Sequence, residues 1–215
     1  AATNLLQIDP NEISVLYRHE KSDAGVKGKK FEVILFDTLA NGAGYCTSDE
    51  LKEDTLIKKA IEILKDCPEN CDSSCYRCLR VYHNKYDHYL FDRYLGQIFL
   101  ETALSGNMPT FDTSRLNNSI QSLVDDLKRY GFTGTIATNE VRVVDGESLK
   151  IPIITDIDGK ETWYSLSNPL TRGRFFDENL QEYMDSFLGQ DIYSINELEV
   201  RKALPQVTQK ILKKD

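Results

Sequence analysis

Cys67-Pro-Glu-Asn-Cys71-Asp-Ser-Ser-Cys75-Tyr-Arg-Cys78-Leu-Arg-Val-Tyr-His-Asn84 contains four of the five cysteines of this chain. The spacing C-x3-C-x3-C-x2-C is short enough for four thiolates to reach one ion. Zinc prefers four tetrahedral nitrogen or sulfur ligands, and a site closed by four sulfurs is structural rather than catalytic. The polar residues between the cysteines favour the turns that a chain wrapping around an ion requires. The stretch therefore predicts one structural Zn²⁺, held by Cys67, Cys71, Cys75 and Cys78.

Two other interpretations of these cysteines have different chemistry. Disulfides are rare in the cytosol and usually join distant segments, whereas these cysteines are close together in the sequence. A redox dithiol normally lies at a helix N-terminus beside a supporting strand. No such frame surrounds Cys75-x-x-Cys78 in the sequence, but a thiol redox protein using this pair stays an alternative.

Composition predicts a folded protein with one large or two small domains. The chain has 215 residues, of which 40% are hydrophobic and 10% aromatic, which is typical of globular proteins rather than disordered ones. No apolar run reaches the ~18 residues that span a bilayer, and no signal peptide is visible. We therefore expect no membrane partner and a cytoplasmic location.

The charge and the first residue limit the functional classes further. The net charge of −8 argues against a general DNA-coating protein, which is usually basic. Any contact with nucleic acid must then come from a local patch. Because the chain begins at Ala1 without a methionine, we expect it to be a fragment of a longer protein.

Hydrophobic patterning predicts an α+β fold, and the cysteines place the zinc-binding domain within residues 1–108. Residues 31–36 read as a buried strand, reached through a hairpin connection over residues 20–30. A glycine-bearing loop with Gly42 and Gly44 follows, and then a helix over about residues 48–66. This strand–Gly-loop–helix unit leads into the four-cysteine zinc knuckle. A second helix is expected over about residues 87–104.

The glycine loop permits two interpretations. A strand, a glycine loop and a helix often bind phosphate on backbone amides. Here the loop has no lysine and matches neither of the common phosphate-binding patterns. Glycines that allow a tight turn are therefore the favoured interpretation.

A second domain is predicted over residues 109–215, after a break at Ser105-Gly-Asn-Met-Pro109-Thr. An amphipathic helix over residues 115–130 precedes short strands joined by the turn signals Asp145-Gly146 and Asp158-Gly159. Helices are predicted over residues 175–188 and 195–212. The pattern predicts a small α+β layer with antiparallel hairpins.

Two segments carry residues suited to further chemistry. Asp156, Asp158 and Lys160 suggest a metal-dependent nuclease or hydrolase in residues 110–215, although a hairpin turn explains the aspartates and no Glu-x-Lys follows. Residues 76–94 interleave basic with aromatic side chains, which suits single-stranded nucleic acid. Tyrosines packed around the knuckle and arginines at helix ends are the alternative. The predicted nucleic-acid contacts are Tyr76, Arg77, Arg80, Tyr82, Lys85 and Arg93.

Residues 31–95 resemble the MrfA zinc-binding domain family. The resemblance rests on the strand into Asp37-Thr38, on Gly42-Ala43-Gly44-Tyr45, on Cys75-Tyr-Arg-Cys78-Leu79-x-x-Tyr82-x-Asn84, and on Phe91-Asp92-Arg93. The other three positions that carry it are Cys67, Cys71 and His88. The family more often has two glycines before Ala-Gly and a leucine where Phe91 stands. Its members lie C-terminal to the motor of MrfA-type superfamily 2 DNA helicases, and occur in DrmB of the DISARM phage-defence system.

The resemblance implies a non-catalytic zinc-binding module of a helicase-related protein in DNA repair or phage defence. Such a module would brace a helicase motor, in the same chain or another, or guide single-stranded or duplex DNA past it. We also expect residues around the knuckle to support the ligand loops, with Asn84 and His88 bonding to loop backbone and Asp92 and Arg93 pairing at the helix start. The supporting set is Gly42, Gly44, Tyr82, Asn84, His88, Asp92 and Arg93.

Overall fold

The computed structural model describes residues 1–20, 30–107, 111–144, 146–171, 173–186 and 192–213. The chain forms two compact units, Ala1–Pro109 and Thr110–Asp215. Each unit contains helices and strands, so the predicted α+β class is confirmed. The middle of the predicted hairpin connection, the end of the predicted break and Asp145 of the first turn signal lie outside the described residues.

The first unit is a β-hairpin followed by two packed helices. The two strands pair antiparallel, with Ile13 opposite Asp37. The two longer helices pack so closely that a Cβ on Gly96 would lie 3.2 Å from Cδ1 of Leu64. The zinc-ligand stretch, residues 67–78, lies in the segment that connects these two helices. The elements are α1 (Ala2–Leu6), β1 (Ile13–Glu20), β2 (Lys30–Asp37), α2 (Glu53–Lys65) and α3 (Arg93–Ser105).

Both predicted helices of this unit begin later than expected. The first splits into a 3-10 turn, Asp49–Leu51, and α2, because the extended backbone of Lys52 interrupts it. The capping pattern is real but belongs to the turn, since Oγ of Ser48 accepts from the Glu50 N–H at 3.3 Å. The segment before α3 is likewise a 3-10 helix, Tyr82–Asp87.

In the residues that the structure describes, the second unit has a four-stranded sheet with helices on both faces. The strand order is β3-β4-β5-β6; the first three strands are antiparallel neighbours, as the hairpin prediction requires, and β6 runs parallel to β5. The elements are α4 (Thr113–Arg129), β3 (Thr135–Val144), β4 (Glu147–Ile157), β5 (Lys160–Ser167), α5 (Glu178–Asp185), β6 (Ile192–Asn196), α6 (Glu197–Lys202) and α7 (Leu204–Leu212).

The strand β6 corrects the predicted last helix, because Ile195 and Asn196 pair with β5. Asn196 then starts α6, since its Oδ1 accepts from the Leu198 N–H at 2.9 Å. Side chains of neighbouring strand residues point to opposite faces of a sheet, and Trp163 and Tyr164 of β5 accordingly enter different apolar clusters. The sheet is therefore buried on both sides.

Among the residues that the structure describes, no helix is both long enough and apolar enough to cross a membrane.

Candidate metal centre

The four sulfurs of the ligand stretch converge on one point. The Sγ atoms of Cys67 and Cys75 are 3.5 Å apart, those of Cys71 and Cys78 3.7 Å. The pairs Cys67–Cys71 and Cys75–Cys78 are both separated by 3.8 Å, and all four sulfurs lie within 4.8 Å of one another. A regular tetrahedron of sulfurs around zinc, with Zn–S bonds of about 2.3 Å, has edges of about 3.8 Å. The donor set and its spacing therefore fit one tetrahedral zinc ion.

The protonation of these thiols also favours a cation at the centre. Burial and the neighbouring thiols raise the pKa of Cys71 to about 12, and burial raises the pKa of Cys78. Burial acts in the same direction on Cys67, but hydrogen bonds from the N–H groups of Cys71 and Glu69 and from the thiols of Cys75 and Cys71 together outweigh it and lower the pKa of Cys67 to about 7. Four thiolates repel one another at these distances, so full ionisation requires a bound metal ion.

Backbone turns bring the ligands together. Asn70, with φ of 41°, adopts a left-handed conformation between the first two cysteines, which asparagine tolerates well. The carbonyl of Cys75 accepts from the N–H groups of Cys78 and Arg80 at 3.2 and 2.9 Å, closing the second turn. The Sγ atom of Cys75 also accepts a hydrogen bond from the backbone N–H of Arg77 at 3.3 Å.

Arg93 holds the ligand loop against the end of α2. Its guanidinium donates to the carbonyls of Cys71 at 2.7 Å, Leu64 at 2.8 Å and Lys65 at 3.2 Å. A further bond of 3.0 Å reaches Oδ1 of Asn70. The planar guanidinium of Arg93 has five donors in a rigid arrangement. It therefore satisfies acceptors both on α2 and on the loop that carries the first two zinc ligands.

The burial of Arg93 corrects one prediction. Only 2% of this residue is exposed, so it is not available to a nucleic acid in this fold. Its own N–H donates to the carbonyl of Ser73 at 2.7 Å. Oγ of Ser73 donates to the Phe91 carbonyl at 2.7 Å. The Asp92 carboxylate caps α3, accepting from two N–H groups of its first turn at 3.1 and 3.0 Å.

Asn84 and His88 fix the segment after the last ligand. Asn84 accepts from the Val81 N–H at 2.8 Å and donates to the Leu79 carbonyl at 2.9 Å. Nε2 of His88 lies 2.8 Å from Oδ1 of Asn84 and 3.1 Å from the Val81 carbonyl. The structure thus places both side chains on loop backbone.

The predicted nucleic-acid contacts other than Arg93 differ in exposure. Arg80 is half-buried, and its Nε donates to Oγ of Ser74 at 2.9 Å. Tyr76 and Tyr82 are 69% and 71% exposed, and the side chain of Arg77 is 71% exposed. Lys85 is also exposed. Four of the six predicted residues are therefore accessible from solvent.

The glycine loop is closed around a carboxylate of the chain itself. Oδ2 of Asp37 accepts from the N–H groups of Ala43 at 3.0 Å, Gly44 at 2.7 Å and Tyr45 at 3.2 Å. Oδ1 accepts from the Cys46 N–H at 3.1 Å. The amides that a phosphate would need are occupied, which rules out the phosphate interpretation in this conformation. The sequence showed Asp37 only as the end of a strand and gave no signal for this role.

Gly42 and Gly44 supply the turn that this loop requires. Their φ angles are 71° and 78°, a region that residues with a Cβ rarely adopt. The thiol of Cys46 bonds to Asp37, and burial together with this carboxylate raises its pKa to about 11. Cys46 is therefore a protonated structural thiol, and it does not belong to the four-sulfur group.

Replacing Asp37 by asparagine is expected to lower the melting temperature of the zinc-loaded protein. Hydrogen bonds from Cys46 and the loop amides lower the pKa of Asp37 below its usual 3.8, so the stabilising charge is present above that pH and is lost only as the pH falls below it. The melting-temperature difference from wild type should therefore be constant from pH 5 to pH 8. Thermal melts with Asp49→Asn, a side chain 95% exposed, provide the control. A difference that fades between pH 6 and pH 5 would contradict this account.

The second unit does not assemble the predicted hydrolase site from its described residues. Asp156 accepts from the Gly159 N–H at 2.8 Å, and Asp158 has a left-handed φ of 52°, so both form the turn between β4 and β5. No group of three or more potential metal ligands occurs in the described part of this unit. The buried carboxylate of Glu197 accepts a hydrogen bond from Oγ of Ser119 at 3.0 Å. This side chain therefore connects α6 to α4 and is not part of a metal site.

Comparison with known proteins supports the family resemblance of the first unit. Residues 1–79 match the family model of the MrfA Zn-binding domain. The predicted resemblance is therefore confirmed over this part of the chain, and its four cysteines are positioned to hold one metal ion. The matched region begins earlier than the predicted one and ends just after the last ligand.

The chain is also similar to Druantia protein DruE of Escherichia coli (strain UMEA 4076-1). The two sequences are 36% identical over 78 residues, which are 36% of this chain and 4% of that protein. The chain thus spans only a small part of the length of this relative. No solved structure shows a significant match to the chain.

Proposed function

We propose that this chain is a non-catalytic zinc-binding module of a larger phage-defence protein, in which it braces a helicase-related motor. The observation that carries the proposal is the closed four-sulfur site, because four cysteine ligands leave zinc no open position for a substrate or a water. The metal then contributes folding energy rather than chemistry.

The defence context is supported by the similarity to Druantia protein DruE, a phage-defence protein. In that relative the matching stretch is 4% of the length, which suits a module that serves other domains. The helicase link is supported by the predicted resemblance to domains that follow MrfA-type motors. The same resemblance also supports two related settings for the module, namely the DISARM phage-defence system and DNA repair.

A bracing role is supported by the way the ligand loop joins the two helices. Cys67 follows Asp66, the C-cap residue of α2, and Arg93 at the start of α3 donates to the carbonyl of the predicted zinc ligand Cys71 at 2.7 Å. Zinc and Arg93 together therefore hold two helices and the loop between them as one body. A rigid body of this kind presents fixed surfaces to neighbouring domains.

The test is a plaque assay in a host that expresses the complete gene product containing this chain. Cys75→Ser should abolish protection, whereas Cys46→Ser should retain it, because Cys46 lies outside the four-sulfur group. The purified zinc-loaded chain should show neither ATP hydrolysis nor DNA cleavage. Protection that survives the loss of zinc, or cleavage that survives purification of the chain, would refute the proposal.

A further inference from the structure

Four tyrosines lie exposed on the segment that begins within the zinc-ligand stretch and continues beyond it. The exposed fractions are 69% for Tyr76, 71% for Tyr82, 79% for Tyr86 and 71% for Tyr89. Aromatic side chains are more often buried, and clustered exposed ones mark interaction sites. These four residues are called the tyrosine surface below.

A single ammonium group lies between two of these rings. Nζ of Lys85 is 4.4 Å from the ring centre of Tyr82 and 5.1 Å from that of Tyr86. The same nitrogen donates to the hydroxyl of Tyr82 at 3.2 Å. Because this nitrogen lies over one face of each ring, a ligand that stacks on the opposite face of either ring has a positive charge close by.

The local charge has the opposite sign to that of the chain. Residues 76–89 contain three basic side chains, Arg77, Arg80 and Lys85, and one acidic side chain, Asp87, whereas the whole chain has a net charge of −8. Arg77 is largely exposed, with Nε 3.9 Å from a carboxylate oxygen of Glu69. Such a positive island suits a polyanion that the rest of the surface repels.

The tyrosine surface is held in place before any ligand binds. Tyr76 lies between the zinc ligands Cys75 and Cys78, and its ring contacts that of His88 edge to face, with centres 5.5 Å apart. The 3-10 helix that carries Tyr82 and Tyr86 is fixed by the bonds of Asn84 and His88 to backbone and to each other. Preorganised rings lose little entropy on binding.

We propose that the tyrosine surface binds single-stranded nucleic acid, with bases stacked on Tyr82 and Tyr86 and a phosphate bound by Lys85. Stacking on aromatic rings combined with cations is the usual way in which proteins hold single strands without sequence preference. The inference goes beyond the bracing role, and Tyr82 and Tyr86 lie outside the family match over residues 1–79.

The test is fluorescence anisotropy of a labelled oligothymidylate with the full zinc-loaded chain. Wild type should bind the single strand more tightly than a duplex of the same length. Tyr82→Ala should weaken binding at least about fivefold, and the double variant with Tyr86→Ala about 25-fold or more. Phenylalanine at both positions should restore binding because the stacking face remains. Lys85→Ala should lower the salt slope of binding by about 0.7.

The matched control is Tyr17→Ala, since Tyr17 is 74% exposed on β1 of the same unit. Although Tyr82 belongs to the predicted supporting set, it is 71% exposed, so zinc content and melting temperature should stay at wild-type values in every variant. A failure here therefore leaves the proposed zinc module intact. Absence of binding by wild type would overturn the proposal, and so would equal losses for Tyr17→Ala and Tyr82→Ala. Absence of binding would point to a protein partner for the tyrosine surface, and equal losses would show that the strand binds elsewhere on the chain.

Discussion

Replacing Cys75 by serine is expected to release the metal and to unfold the first unit, Ala1–Pro109, of the purified chain. Structural zinc sites contribute about 10–16 kcal/mol of apparent binding free energy in zinc-finger peptides, which is comparable to the whole stability of a typical domain, about 5–15 kcal/mol. Elemental mass spectrometry should find about one zinc per wild-type chain and much less in the variant.

The second unit should survive this substitution, because it has two buried apolar clusters of its own and contributes no zinc ligand. A two-dimensional NMR spectrum should then lose dispersed signals from the first unit and keep those of the second. Cys46→Ser, which changes a thiol outside the cluster, should bind zinc normally. A wild-type chain that is folded and metal-free after purification without chelators would contradict the structural role of the ion.

Replacing Arg93 by alanine is expected to destabilise the zinc-loaded first unit by at least about 3 kcal/mol. The substitution leaves the carbonyls of Leu64, Lys65 and Cys71 and the amide oxygen of Asn70 without this donor. Each buried acceptor that loses its partner costs about 1–3 kcal/mol, reduced where water enters. Chemical denaturation at fixed zinc concentration measures the change in the free energy of unfolding.

Two further substitutions distinguish the effect of the planar guanidinium of Arg93 from the effect of its positive charge. Arg93→Lys keeps the positive charge but offers one point donor in place of a planar fork, so its free energy of unfolding should fall between those of Arg93→Ala and wild type. Arg77→Ala removes an exposed arginine from the same segment and should change stability by no more than about 0.5 kcal/mol. Equal effects for Arg77→Ala and Arg93→Ala would show that the buried contacts are not what stabilises the knuckle.

Arg93 also shows that a local sequence pattern does not predict which basic side chains become buried. In the sequence it is one of several basic residues among tyrosines, and the pattern that favours nucleic-acid contact assigned it to the surface. The structure uses it differently from Arg77 because the carbonyls that need a donor come from α2 and from the ligand loop, up to 29 residues away. No local pattern records such a distant requirement.

The same limit explains the Asp37 loop and β6. Asp37 accepts hydrogen bonds from amides six to nine residues further along the chain. Only the folded turn shows that this carboxylate occupies the amides that a phosphate would need. Ile195 has the apolar spacing of a helix, yet it pairs with Leu166 of β5. Its strand conformation depends on a neighbour 29 residues earlier in the sequence.

The sequence by itself determined the α+β class and the zinc ligands. Both are local properties: the ligands are four cysteines within twelve residues, and metal geometry leaves such a spacing few other uses. The tertiary structure alone decided which polar side chains support the metal and which remain exposed. That choice depends on burial and on hydrogen-bond acceptors from distant elements, and these come together only when α2, the ligand loop and α3 pack.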